Sequence, residues 1–319
     1  MRSDLHLDLG CEPPRENDGR ITILMPVKNY HPRYLEEALQ SVLLQTSAGW
    51  RLCVIVERQD FARLQAVVGR LQDSRISVIV NQGRMLAGAF NTGMRSASTQ
   101  FVATLLADDR WAPTAVEVLQ RCISAYPEAD FFHSGLQIID ENGRAISPQR
   151  QPPQELSIDD FIEGSAAKHL LCWRRSMAMA FGGMDESLNG IGPDDYDFPW
   201  MMFERGARFH AVNECLYLYR DHRDSYRLTT HLPRSIHLKE LRRILEKHQV
   251  AKHQMNEHLR RAKRLFLRQC LFRNRFDRWL KEQVLGINPA KGWRERYDGW
   301  DDAKSETPTR RSRTRRPQP

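Results

Sequence analysis

Two pairs of adjacent carboxylates are the residues of this sequence best suited to chemistry. Asp108 and Asp109 close the apolar run Phe101-Val-Ala-Thr-Leu-Leu-Ala107, and Pro113 follows them. Acids at the end of a buried strand can hold a hard divalent cation through oxygen, and the cation can hold a diphosphate. The same pair also suits a solvated turn that caps the helix predicted from Pro113. Asp194 and Asp195 stand in Gly192-Pro-Asp-Asp-Tyr-Asp197, between a glycine-containing loop and a predicted helix start. Of two neighbouring acids, one raises the pKa of the other, which suits a proton acceptor. Helix capping is the competing use, because acids ahead of Pro199 also favour the positive end of a helix.

The elements that must position these acids alternate. Ile21–Met25 reads as a strand ended by Pro26, and a helix follows from about Pro32 to Gln45, with Leu35, Ala38, Leu39, Val42 and Leu43 at helical spacing. Leu52–Val56, ending on Glu57, and Ile76–Val80 read as further strands. Phe61–Leu71 and Met85–Ser96 read as the helices between and after them, ahead of the Phe101 strand. Strands alternating with helices of this length predict βαβ units and a mainly parallel sheet. Beyond Asp109 the pattern loosens. A helix is predicted over Thr114–Tyr126, a strand over Phe131–Asp140, a tight turn into a short strand at Glu141–Gly143, strands over His169–Arg174 and Ala211–Tyr219, and a helix over Phe198–Arg205.

At 319 residues and 41% apolar content the chain can build a sizeable core. No apolar run is long enough to span a bilayer, and Met1–Arg20 lacks the apolar segment of a signal peptide, so a cytoplasmic protein is expected. The six cysteines are scattered without a Cys-x-x-Cys pair, which points away from a zinc site or a disulfide framework. The net charge of +8 is concentrated beyond His231. There an apolar stripe of Ile236, Leu238, Leu241, Ile244 and Leu245 runs beside Arg242, Arg243, Arg260, Arg261 and Lys263. Such helices either pack on the preceding domain or on a second subunit, or rest at the inner face of an anionic membrane. No nucleic-acid motif accompanies the charge. The expected organisation is a flexible stretch over residues 1–19, an α/β domain over 20–230, a basic helical extension over 231–300 and a disordered tail over 301–319.

Several separated motifs, in order, resemble the family 2 glycosyltransferases over about Arg20 to Leu228. They are Ile21-Thr-Ile-Leu-Met-Pro-Val-Lys-Asn29, Leu39-Gln-Ser-Val-Leu-Leu-Gln-Thr46, Asn81-Gln-Gly83, Ala89-Phe-Asn-Thr-Gly93, Asp108-Asp109 with Pro113, Phe181-Gly-Gly-Met-Asp-Glu186, Gly192–Asp197 and Leu216-Tyr-Leu-Tyr-Arg-Asp-His222. The sequence departs from the family pattern in having Glu57 for the usual Asp, Leu106 at the first position of the metal motif, and Phe90 for the common Arg.

The resemblance implies a GT-A fold, a Rossmann-like mixed and mainly parallel sheet flanked by helices. It implies inverting transfer of a sugar from a nucleotide-diphosphate sugar, with a UDP-sugar as the expected donor. The acceptor would be a hydroxyl of a glycan or a lipid-linked glycan, in cell-surface glycan synthesis, and the cofactor Mg²⁺ or Mn²⁺. By the same resemblance Asp195 is the base, with Asp194 supporting it. Pro26, Val27, Asn29, Glu57, Asn81, Gly83, Asn91 and Asp108 contact the donor. Gly183, Asp185 and Trp200 face the acceptor. Asp109 is the foremost metal ligand, joined by Asp108 and His222. A homodimer and a non-catalytic nucleotide-sugar-binding or assembly subunit are the further expectations.

Overall fold

In the computed structural model the described residues are 21–188, 192–221 and 234–270. Strands β1 (Ile21–Val27), β2 (Trp50–Val56), β3 (Ile76–Val80) and β4 (Phe101–Thr104) pair in parallel in the order β3-β2-β1-β4. Helices α1 (Pro32–Leu43), α2 (Phe61–Gly69) and α3 (Met85–Ser96) connect them. Successive side chains of a strand face opposite sides of a sheet. Accordingly Ile21, Ile23 and Met25 enter one apolar core with α1, while Leu24 enters the other with α3. The first four strands therefore read as continuous apolar runs because both faces are covered.

The second half turns the sheet around. It comprises β5 (Arg110–Trp111), α4 (Ala115–Ala125), β6 (Phe131–Ile139), α5 (Ile158–Glu163), β7 (Leu171–Arg174), α6 (Arg175–Ala180), α7 (Phe198–Glu204) and β8 (Phe209–Arg220). β7 runs antiparallel between β4 and β6, and the eight-stranded sheet ends β7-β6-β8-β5. This is the mixed α/β architecture expected.

Two local expectations are corrected, and a third position is sharpened. Pro26 does not end β1 but pairs in register with Ile55. Leu24 accepts from the Leu105 amide at 3.1 Å, on the β4 side, and Pro26 two residues later turns its missing donor to that side, where the β4 pairing has stopped. The turn at Glu141–Gly143 leads not into a strand but only to the isolated bridges Ile139↔Ala145 and Leu136↔Arg150. Asp194 and Asp195 lie in a wide turn, Pro193–Asp197, ahead of α7, with the amides of Tyr196 and Asp197 both donating to the Gly192 carbonyl.

Helices α8 (Arg234–Lys247) and α9 (Lys252–Cys270) follow. Their Leu241, Ile244, Leu245 and Met255, with Val250 from the connection, form a third core with Phe161, Ile162, Tyr196 and Trp200. The packed alternative for the basic extension is thus the one seen over these helices. Residues 271–319 lie outside the described residues, as do 1–20. Among the described residues no helix is long and apolar enough to cross a membrane.

Candidate active site

The carboxyl ends of the parallel strands bring one group of candidates to a common edge. Lys28 follows β1, Glu57 follows β2 and Asn81 follows β3. Lys28 Nζ is 4.0 Å from Glu57 Oε1, and Asn81 Nδ2 donates to the same oxygen at 3.4 Å. Asn81 Oδ1 in turn accepts from the Gly83 amide at 2.9 Å, which fixes the loop into α3. Pro26 is half-buried and Val27 buried in β1, so their contribution is the backbone, whereas Asn29 is exposed at a left-handed φ of 50° that asparagine tolerates.

The Asp108–Asp109 turn divides its two acids. Asp109 is 1% exposed; its Oδ2 accepts from the Tyr217 hydroxyl at 2.8 Å and its Oδ1 from the Arg220 amide at 2.6 Å. Burial, and then the neighbouring Asp108, push its pKa well above the usual carboxylate range. Each Asp109 oxygen thus accepts one bond from β8 and keeps a lone pair, so Asp109 stands beside Asp108 as a candidate ligand. Asp108 stays half-buried, and it is its carbonyl that Arg220 Nε grips at 2.7 Å. The buried Arg220 also donates to the carbonyls of Asp140 and Glu141, pairs with Glu37 and lies over the Tyr34 ring. Sequence reasoning missed Arg220. A charged residue ending an alternating apolar strand was the available signal.

Asp194 and Asp195 are divided likewise. Asp194 is buried, and burial followed by the Asp195 charge raises its pKa. Asp195 is half-buried, and its Oδ1 sits 2.0 Å from where a Cβ on Gly192 would stand, so a side chain at 192 would displace this carboxylate. The Asp195 charge reaches His169, partly offsetting the burial that lowers the imidazole pKa. His169 stacks on Tyr217 with ring centroids 5.1 Å apart, and Tyr217 holds Asp109. Tyr217 thus joins Asp109 to His169, a role that neither residue's sequence context signalled.

Three expected contacts take other roles. Asn91 is buried; its Oδ1 accepts from the Met184 amide at 2.8 Å and its Nδ2 donates to the Met184 carbonyl and to Glu186, each at 2.9 Å. It clips α3 to the Gly182–Glu186 loop instead of facing a donor. Gly183 serves that clip: at φ 73°, a Cβ there would meet Asn91 Oδ1 at 2.4 Å. Trp200 is 0% exposed and stacks on His248 at 4.1 Å, so it cannot stack on an acceptor sugar; Trp173 is as deeply buried. Asp185 does lie at the surface side, accepting from Ser187 and from Lys247 Nζ at 3.0 Å. His222 lies outside the described residues.

Among the described residues no cluster of three or more His, Cys, Asp or Glu could enclose a metal ion. A hard cation that keeps waters and diphosphate oxygens needs only one or two protein carboxylates. The oxygen-only chemistry of half-buried Asp108, at the strand edge, fits such a cation.

Residues 22–182 match the family described as glycosyl transferase family 2. A Sinorhizobium fredii protein, y4gI, is 26% identical over 215 residues, 64% of this chain and 23% of that protein. The Escherichia coli UDP-Glc:alpha-D-GlcNAc-diphosphoundecaprenol beta-1,3-glucosyltransferase WfgD is 31% identical over 139 residues, 42% of this chain and 53% of that one. The chain thus spans about half or less of these two relatives' length. Among solved structures, residues 1–349 of S. aureus TarS in complex with UDP-GlcNAc superpose with a TM-score of 0.57 at 15% identity, covering 86% of this chain and 77% of that one.

Proposed function

The chain belongs to glycosyl transferase family 2, and from that premise we propose that it moves a sugar from a UDP-sugar to a hydroxyl of a lipid-linked glycan, with inversion. The donor and acceptor classes rest on the relatives: UDP-GlcNAc is bound by TarS, and the WfgD name gives a UDP-sugar donor and a diphosphoundecaprenol acceptor.

The observation that carries the catalytic reading is the division of labour at Asp194 and Asp195. Asp194, buried and raised in pKa, holds a proton; Asp195, half-buried on the glycine turn, takes the proton from the attacking hydroxyl. Attack from the side opposite the leaving diphosphate inverts the anomeric carbon. Lys28, Glu57 and Asn81 bind the nucleoside end of the donor. Asp108 would hold Mg²⁺ or Mn²⁺, which when bound neutralises charge on the leaving diphosphate as a Lewis acid.

The test is UDP release and product formation for Asp195→Asn and Asp194→Asn, with donor affinity measured alongside. Asp195→Asn is expected to slow transfer by about 10²–10⁴ while donor affinity persists. Normal transfer in both variants would leave the acids as helix caps and favour a non-catalytic donor-binding subunit. Excess chelator is expected to stop turnover, and Asp108→Asn to weaken Mn²⁺-dependent donor binding.

Peripheral membrane contact finds support in an open groove of about 510 Å³ between α8 and α9. Lys239, Arg242, Arg260 and Lys263 surround Leu238 and Leu259 there. Sedimentation with anionic but not zwitterionic vesicles, lost in 1 M salt, is the expected result; equal binding to both would remove the reading.

A further inference from the structure

The end of α8 reaches back to the turn that carries Asp194 and Asp195. Asp197, the last residue of that turn, is 1% exposed, yet carries two contacts to cationic or polar side chains from this helix. Lys247 Nζ donates to its Oδ2 at 2.7 Å, and His248 Nε2 lies 3.0 Å from its Oδ1. The other ring nitrogen of His248 meets Glu204 Oε2 at 2.7 Å, at the far end of α7. One imidazole therefore braces both ends of α7, lying flat on Trp200 with an interplanar angle of 5°. Lys247 also reaches Asp185 on the Gly182–Glu186 loop, and Arg243 donates to the Ser187 carbonyl at 2.9 Å and its hydroxyl at 2.6 Å. Leu241, Ile244 and Leu245 anchor this face of α8 in the third core.

We propose that Lys247 and His248 are positioning residues for the transfer reaction, setting the Asp195 carboxylate against the acceptor-side loop through Asp197 and Asp185. The proposal rests on Asp195 acting as the base. Its physical ground is that Asp197 is part of one continuous wide turn with Asp195, the Tyr196 and Asp197 amides donating to the Gly192 carbonyl and the Phe198 amide to the Pro193 carbonyl. A buried carboxylate that loses its partner must move or be neutralised. Movement of Asp197 carries Asp195, two residues away, with it. Lys247, bridging Asp185 and Asp197, fixes the spacing between the loop and the base. Lys247 ends α8 and His248 follows it directly.

The experiment compares full-length Lys247→Met, His248→Gln and Lys247→Arg with Asp195→Asn. It reads kcat for transfer, acceptor KM, donor Kd and thermal unfolding. Misplacement of about 1 Å at a reacting centre lowers rate by about 10²-fold. Lys247→Met and His248→Gln are expected to lose about that much kcat with donor Kd unchanged, and Lys247→Arg to retain most of it. Lys247→Met keeps the aliphatic stem of a partly exposed side chain, so it supplies the test should His248→Gln fail to fold. If Tm falls but kcat per folded molecule stays at the parent value, α8 is scaffolding and the proposal is overturned. If Asp195→Asn loses transfer and Lys247→Met does not, this inference fails while the base assignment stands. If Asp195→Asn transfers normally, the base assignment fails and the inference falls with it.

Discussion

The parallel-strand half of this molecule and the half beyond Asp108 are built in opposite ways. In the first, Lys28, Glu57 and Asn81 each follow a parallel strand, and their mutual contacts come from strands lying next to one another. In the second, the decisive contacts join distant parts of the chain. Tyr217 holds Asp109, Glu186 holds the Arg84 amide, Arg220 pairs with Glu37, and Lys247 holds Asp197. A parallel sheet with right-handed crossovers delivers side chains to one edge by topology alone. A wide turn and a glycine loop have no such frame, and long-range polar clips hold them instead.

The sharpest way to break this comparison is Arg220→Met. The guanidinium is buried and joins the Asp108 carbonyl, the Asp140–Glu141 turn and Glu37. Its removal is expected to lower unfolding stability by about 3–5 kcal/mol, read by denaturant titration. A loss under about 1 kcal/mol would mean the long-range clips are dispensable. Next in size is Gly183→Ala, where the φ of 73° and the contact with Asn91 Oδ1 oppose a side chain. About 1–3 kcal/mol of stability should go, with donor affinity intact; a stable variant with weakened donor binding would contradict the clip. On the donor side Glu57→Gln is expected to leave Tm unchanged and weaken donor binding severalfold, since one exposed polar contact is worth about 1 kcal/mol. An unfolded Glu57→Gln would erase the distinction between the halves.

The smallest effect concerns pH. Burial raises the Asp185 pKa, but the Ser187 hydroxyl and the Lys247 ammonium outweigh it and leave it at about 2. A carboxylate held below its unfolded value contributes stability that is present above the unfolded pKa and lost as pH falls through the folded one. The tie between α8 and the acceptor-side loop should therefore persist at pH 5 and weaken from about pH 4 downward toward 2. Protection of the Asp185–Ser187 amides, followed by hydrogen exchange across that range, would show it; protection unchanged at pH 2 would place the tie elsewhere.

This division also governs what could be read from the sequence. Strands β1 to β4, helices α1 and α3, and the strand-end position of Glu57 follow from apolar period and strand length, because each depends on neighbours within a few residues. The contrast between Asp108 and Asp109 does not. Identical side chains one position apart separate only when Tyr217 and the Arg220 amide arrive from β8. Asn91 was legible as a polar residue in an apolar helix, but its partners Met184 and Glu186 lie in a loop far along the chain. Trp200 looked like a sugar platform until α8 supplied His248 to cover it. The acidic turn at Asp194–Asp195 was visible as a motif; that one acid is buried and the other half-buried was not.

Pro26 gives the donor edge one more property. β1 and β4 part after Leu24, and β1 is the strand from which β2 and β3 extend one way and β4 the other. A residue with an amide hydrogen at position 26 would offer the Leu105–Asp109 segment a further rung and invite the two strands to zip onward. Proline withholds that rung, so β1 and β4 part at the same point in each folded copy, just ahead of the acidic turn.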